Sequence, residues 1–176
     1  MLLFEPQEEK AGAIISECGK YRYRLWRVWE ELQPILVVVM QNPSTADADV
    51  DDPTIRKVIG FAKRGGYGGI MVMNVFAYRA TDERELLTVA DPVGPENGEH
   101  LQAARSVSLL TRLLVAWGNR FGPKKRSVFR NAYCNAAGIL VSQSPYCLGV
   151  TKSGDPKHPL FVPYTAEMVK WCQPEM

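Results

Sequence analysis

Long apolar runs are missing from this sequence. None approaches the roughly 18 residues expected of a membrane-spanning helix. The N-terminus, with Glu5, Glu8 and Glu9, is acidic and unlike a secretory leader. A cytoplasmic protein is therefore expected. Histidine is scarce, with only His100 and His158. The four cysteines, Cys18, Cys134, Cys147 and Cys172, are scattered. Together they give no zinc spacing and no disulfide framework, so reduced thiols are expected and no cofactor is called for. Charge of either sign is not in great excess. A net charge of +2 neither argues for nucleic acid nor against it. Repeats and low-complexity linkers are absent. The 176 residues read as one domain, 1–176, with enough chain for a sizeable core and with no need of a second subunit.

What is present is organised around Ile35 to Arg64. Ile35 to Met40 is an unbroken apolar run, too short for a buried helix and rich in β-branched residues. It reads as a strand covered on both faces. Gln41-Asn42-Pro43-Ser44 ends it, because proline cannot donate to a strand ladder. A polar loop with Asp47, Asp49, Asp51 and Asp52 follows. Pro53 suits a first helical position, with Asp52 as its N-cap. The polar residues thus lie between a strand's carboxyl end and a helix's amino end. Ligands of open α/β sheets bind there. Capping and turning alone would explain the same residues equally well.

The flanking chain repeats the pattern. Around Tyr21 to Trp26, aromatic and apolar residues alternate with Arg22 and Arg24, which predicts an edge strand with solvated arginines. Arg22, Arg24 and Arg27 could instead touch phosphates. Thr54 to Arg64 predicts a helix with Ile55, Val58, Ile59 and Ala62 buried. Ile70 to Met73 predicts a strand ending at Asn74, parallel to the first. A short helix is expected after Asp82, and a longer one from about Glu96 to Thr111. Arg112 to Trp117 predicts a third core strand, ending at Gly118-Asn119. Lys124 to Leu140 reads as a helix with a basic start. Such cations often await an anion, but a solvated face explains them as well. Tyr146 to Thr151 predicts a fourth strand, leading to Lys157-His158-Pro159. Thr165 to Trp171 reads as a packing helix. The expected architecture is a three-layer α/β/α domain. It has a four-stranded parallel central sheet and an N-terminal edge strand.

Four strand ends carry motifs: Gln41-Asn42-Pro43, Asn74, Trp117-Gly118 and His158-Pro159. Their order resembles that of the uracil-DNA glycosylase superfamily, whose first core strand ends in a Gly-Gln-Asp-Pro or Gly-Met-Asn-Pro type of motif. The whole chain is also similar to a bacterial and phage family of unknown function. Its signatures appear here as Tyr21-Arg22-Tyr23, Asn42 to Asp47, Asp51 to Arg56, Asn74 to Thr81, Asp91 to Asn97, Ala116 to Gly118 and His158 to Leu160. That second similarity implies no activity. Three features depart from the glycosylase pattern. Asn42 replaces the acid of the fastest enzymes, Leu160 replaces the serine of the His-Pro-Ser ending, and the acidic loop has no counterpart.

The glycosylase resemblance implies a uracil-DNA-glycosylase-like fold and hydrolysis of an N-glycosidic bond. Asn42 would position water and His158 would bond the leaving base. An amide takes no proton near neutral pH, so Asp47, Asp51 or Asp52 would have to serve as base. Asn74 would read the base edge, with Gln41 and Asn119 beside it. Phe76 or Tyr78 would stack on the base. Ser44, Thr45, Thr54 and Lys157 would meet phosphates. The implied partner is nucleic acid, DNA before RNA, or a free nucleotide. Two other classes remain open. One is a binding module without catalysis, which Asn42 and Leu160 favour. The other is a Mg²⁺-dependent phosphoryl or glycosyl transferase using the Asp47–Asp52 loop.

Overall fold

The computed structural model describes residues 10–108, 111–118, 123–140 and 144–172. Its centre is β3, Ile35–Met40. β4, Gly69–Asn74, runs parallel on one side of it, and β5, Leu113–Val115, parallel on the other. β6, Tyr146–Cys147, extends the parallel set beyond β5. The four predicted parallel strands therefore form, with the Ile35 strand inside them. Within β3 the side chains divide by parity. Val37 and Val39 enter one buried cluster, and Leu36, Val38 and Met40 enter the other. That is the consequence of period-two geometry in a strand covered on both faces.

The two covers differ. Helix α1, Pro53–Arg64, lies over one face through Ile55, Val58, Phe61 and Ala62. Helices α2, Asn97–Ser108, and α3, Pro123–Leu140, lie over the other. They bring Leu101 and Ala104, and Tyr133, Ala136, Ala137 and Leu140, onto Val37, Met71 and Val115. A short 3₁₀ helix, Pro159–Phe161, packs beside α1. The α/β/α layering follows from these contacts.

Three expectations need correction. The sheet has seven strands, not four, in the order β1-β2-β4-β3-β5-β6-β7. β2, Arg22–Val28, is not an edge strand. It pairs antiparallel with β4, and β1, Ala11–Ile15, covers its other side. Its arginines suggested solvent, yet Arg22 is 2% exposed and Arg27 is 9% exposed. The segment from Thr165 to Trp171 is not a helix either. Val169–Lys170 forms β7, antiparallel to β6. Trp171 turns inward there and meets Trp117 edge-on at 5.2 Å.

Candidate functional site

Because β3, β4, β5 and β6 run parallel, the segments following them emerge on one rim. The β3 and β4 extensions continue side by side beyond the sheet. Val75 N–H donates to Met40 O at 2.9 Å, Phe76 N–H to Gln41 O at 2.9 Å, and Ala80 N–H to Pro43 O at 3.0 Å. The Asn42 amide locks the same seam. Its Nδ2 donates to Ala80 O at 2.9 Å and to Pro43 O at 3.0 Å. Both amide hydrogens are thereby engaged, so water placement by Asn42 would fall to Oδ1. That atom already accepts from Gln41 Nε2 at 3.4 Å. Gln41 is buried. Its Oε1 accepts from the Tyr133 hydroxyl and its Nε2 donates to Glu83, both at 3.3 Å.

The third and fourth strand ends converge as well. Gly118 adopts φ +74°, and a Cβ there would meet His158 Cβ at 3.0 Å. Only glycine combines that left-handed backbone with such close approach. Gly118 N–H donates to Pro156 O at 2.9 Å. Asp155 anchors the turn below. It is 2% exposed, and its carboxylate accepts from Ser153 Oγ at 3.0 Å. His158 Nδ1 accepts from Leu160 N–H at 3.3 Å. An accepting Nδ1 puts the proton of the neutral ring on Nε2, which makes Nε2 a donor.

The acidic loop is a structural device. Asp52 is buried, and its Oδ1 accepts from Ile55 N–H at 2.8 Å, capping α1 as expected. That bond occupies the helix start where a phosphate near Thr54 was expected. Asp51 pairs with Arg27 at 3.0 Å, and Arg56 donates to the Asp51 carbonyl. Asp47 Oδ1 accepts from Asp49 N–H at 3.0 Å and Val50 N–H at 2.9 Å. Those backbone bonds hold its carboxyl below the usual range and weaken it as a general base. Arg22 Nη1 donates to Ala46 O at 2.6 Å, and Arg27 Nη2 to Asp47 O at 2.7 Å. Burial lowers the Arg22 guanidinium to about 10, so it keeps its charge at neutral pH. Among the described residues no three carboxylate, histidine or cysteine side chains gather as a metal site.

The remaining candidates divide sharply. Phe76 is fully buried against Tyr133, edge-on at 5.4 Å, so its faces belong to the core and not to a stacked base. Tyr78 is half-buried and meets Tyr21 edge-on at 5.8 Å. Lys157 is exposed. Asn119 and the basic start of α3, from Lys124 to Arg130, lie outside the described residues and side chains. Asn74 is 1% exposed, and among the described residues neither its Nδ2 nor its Oδ1 has a hydrogen-bond partner. It follows Ile70 and Val72 in parity, which turns it to the α1 face beside Met40. On the opposite face, buried Trp117 Nε1 also lacks a partner among the described residues.

Sequence reading missed Arg79. This half-buried residue stands beside a cleft of about 330 Å³ lined by Ser44, Thr45, Arg79, Ala80, Thr81 and Glu85. The available signal was its place in Asn74 to Thr81, directly past a strand end. Ser44 and Thr45 line this cleft, while Thr54 and Lys157 do not.

No curated protein and no solved structure matches the chain. Residues 22–160 do match one family, and they carry β2 to the His158 turn, the whole framework of the rim. The chain belongs to that family, described as "Protein of unknown function (DUF1643)".

Proposed function

We propose that this chain is a nucleobase-recognising protein whose ligand is held at the carboxyl rim of the parallel strands, with Asn74 reading the base edge. The observation that carries this reading is the Asn74 side chain. It is buried, with both polar atoms unpaired among the described residues. An unsatisfied buried polar group costs about 1–3 kcal/mol, so a fold that retains one calls for an explanation. An amide offers a donor and an acceptor side by side, the pattern a base edge complements. Since Asn74 is closed off from solvent, the adjoining segments must part for a base to reach it. The ligand class is a base in DNA or a nucleotide.

N-glycosidic hydrolysis is the second reading, and His158 favours it. A neutral imidazole with its proton on Nε2 can donate to the anion of a departing base. Against it stand the engaged amide of Asn42 and the weakened basicity of Asp47. The order of motifs at the strand ends, similar to that of the uracil-DNA glycosylases, supports the substrate class in both readings.

One experiment separates them. The full chain is incubated with a panel of modified-base oligonucleotides and treated with alkali, while binding is followed by fluorescence anisotropy. Base-dependent binding that is lost in Asn74→Ala, with no strand cleavage, supports recognition alone. In Asn74→Asp the preferred base should change, because a donor becomes an acceptor. Strand cleavage that falls about 100- to 1,000-fold in His158→Ala supports hydrolysis. Absence of binding to every base-bearing ligand overturns both readings.

A further inference from the structure

We propose that the cleft between the β3 and β4 extensions is a phosphomonoester site, with Arg79 as its cation. This rests on the nucleobase reading only for the class of ligand, a nucleoside monophosphate. Arg79 Nη1 donates to Gly19 O at 3.3 Å, the one hydrogen bond its guanidinium makes among the described residues. Its Nε is buried without a partner, and it forms no ion pair there. The contrast with Arg27, whose guanidinium nitrogens are all engaged, is direct. A guanidinium has five N–H donors in a planar fork that matches phosphate oxygens. Beside it stand three hydroxyls, on Ser44, Thr45 and Thr81. The seam is bonded across at this point, because Asn42 and Pro43 both bond Ala80.

Two carboxylates bear on the choice of ligand. Asp47 feels Arg79 electrostatically, but its Oδ1 is held by the Asp49 and Val50 backbone. Glu85 lines the cleft itself, and its Oε1 accepts from Asp82 N–H at 3.4 Å. A carboxylate opposite a cation suits a sugar phosphate better than a bare anion. The phosphate meets Arg79 and the hydroxyls, while Glu85 accepts from sugar hydroxyls. The cleft is at the small end of the roughly 300–1,000 Å³ of ligand sites, about the size of one nucleotide.

The test is calorimetric titration of the full chain with nucleosides, their 5′-monophosphates, ribose 5-phosphate, inorganic phosphate, and an oligonucleotide without terminal phosphate. The monophosphates should bind at least about tenfold tighter than the nucleosides, and their advantage should shrink with added salt. Arg79→Gln should reduce that advantage by about 10- to 100-fold. Because Arg79 also touches Gly19, Thr81→Val and Ser44→Ala serve as second variants that leave the guanidinium in place, and each should narrow the advantage several-fold. A monophosphate advantage unchanged in all three variants overturns the phosphate site and leaves the base reading standing. Arg79-dependent binding of ribose 5-phosphate with no base preference upholds the phosphate site and removes the base reading. Tighter Arg79-dependent binding of the oligonucleotide than of the monophosphate overturns the monoester assignment, as does inorganic phosphate binding as tightly as ribose 5-phosphate. No binding of any probe overturns both proposals.

Discussion

Arg27 and Asn74 are buried polar side chains on the same face of the sheet, and the fold treats them in opposite ways. Arg27 donates to Asp51 Oδ1 at 3.0 Å, to Trp26 O at 2.8 Å, to Asp47 O at 2.7 Å and to Gly12 O at 3.4 Å. It ties β1, β2 and the acidic loop to one point. Asn74 sits at the end of β4 with neither amide atom bonded among the described residues. Burial alone therefore does not distinguish the two side chains. The number of partners does, because an unpartnered group contributes no stability to compensate for its desolvation.

The largest expected effect breaks the satisfied side. Arg27→Ala leaves Asp51 and three backbone carbonyls, those of Gly12, Trp26 and Asp47, without this donor. Stability in urea unfolding should fall by about 3 kcal/mol, the lower end for breaking a buried pair. A fall below about 1 kcal/mol would show that the acidic loop is held by its own turns and by α1. On the unsatisfied side the sign reverses. Asn74→Leu keeps the branched shape, with larger methyl groups, and removes two stranded polar atoms. The unliganded protein should gain about 1–2 kcal/mol while base binding is lost. Destabilisation by a similar amount would assign the amide a structural partner and remove it from the proposed site.

These two residues also mark what the sequence made legible. The apolar run of β3, its arrest at Pro43 and the Asp52–Pro53 cap are local features. Each follows from the chemistry of adjacent residues, and each formed as expected. Arg22 and Arg27 looked solvated because their partners, Ala46 and Asp51, each lie 24 residues further along the chain. Non-local pairing also hid β7. Val169 and Lys170 are a strand only because Cys147 and Tyr146 lie opposite them. At the rim, Asn42 and Asn74 are the same residue type at the ends of adjacent strands. Nothing in their immediate neighbours tells that Ala80 O occupies one amide and no described residue occupies the other.

Asp52 tests whether the acidic loop has any task beyond structure. Its side chain caps α1 through Ile55 N–H. Asp52→Ala should lower stability by about 1 kcal/mol, and Asp52→Asn by less, because both Asp and Asn cap well. Ligand binding should be unaffected once the protein is folded. A variant of unchanged stability that has lost binding would move Asp52 from the satisfied group to the functional one.

The smallest expected effect lies on the other side of β2 and sharpens the contrast between its arginines. Arg24 has no ion pair among the described residues, and its Nε is buried without a partner. Its Nη2 is 3.5 Å from Nδ1 of His100, whose ring stacks on Tyr23 at 4.9 Å. Burial, and then the Arg24 charge, lower the His100 pKa below its ordinary 6.5, with Glu96 and Glu99 opposing. The folded protein thus keeps His100 neutral at pH values where the unfolded chain protonates it. Since the folded value is the lower one, the contribution is fully present above about pH 6.5 and is lost as pH falls from there through the folded value. Wild type should therefore lose more stability between pH 7.5 and 5.5 than His100→Gln does, by urea unfolding in matched ionic strength. An equal or smaller loss in wild type would mean that Glu96 and Glu99 outweigh Arg24 and burial. The Arg24–His100 contact would then be a charged, satisfied cluster like that of Arg27.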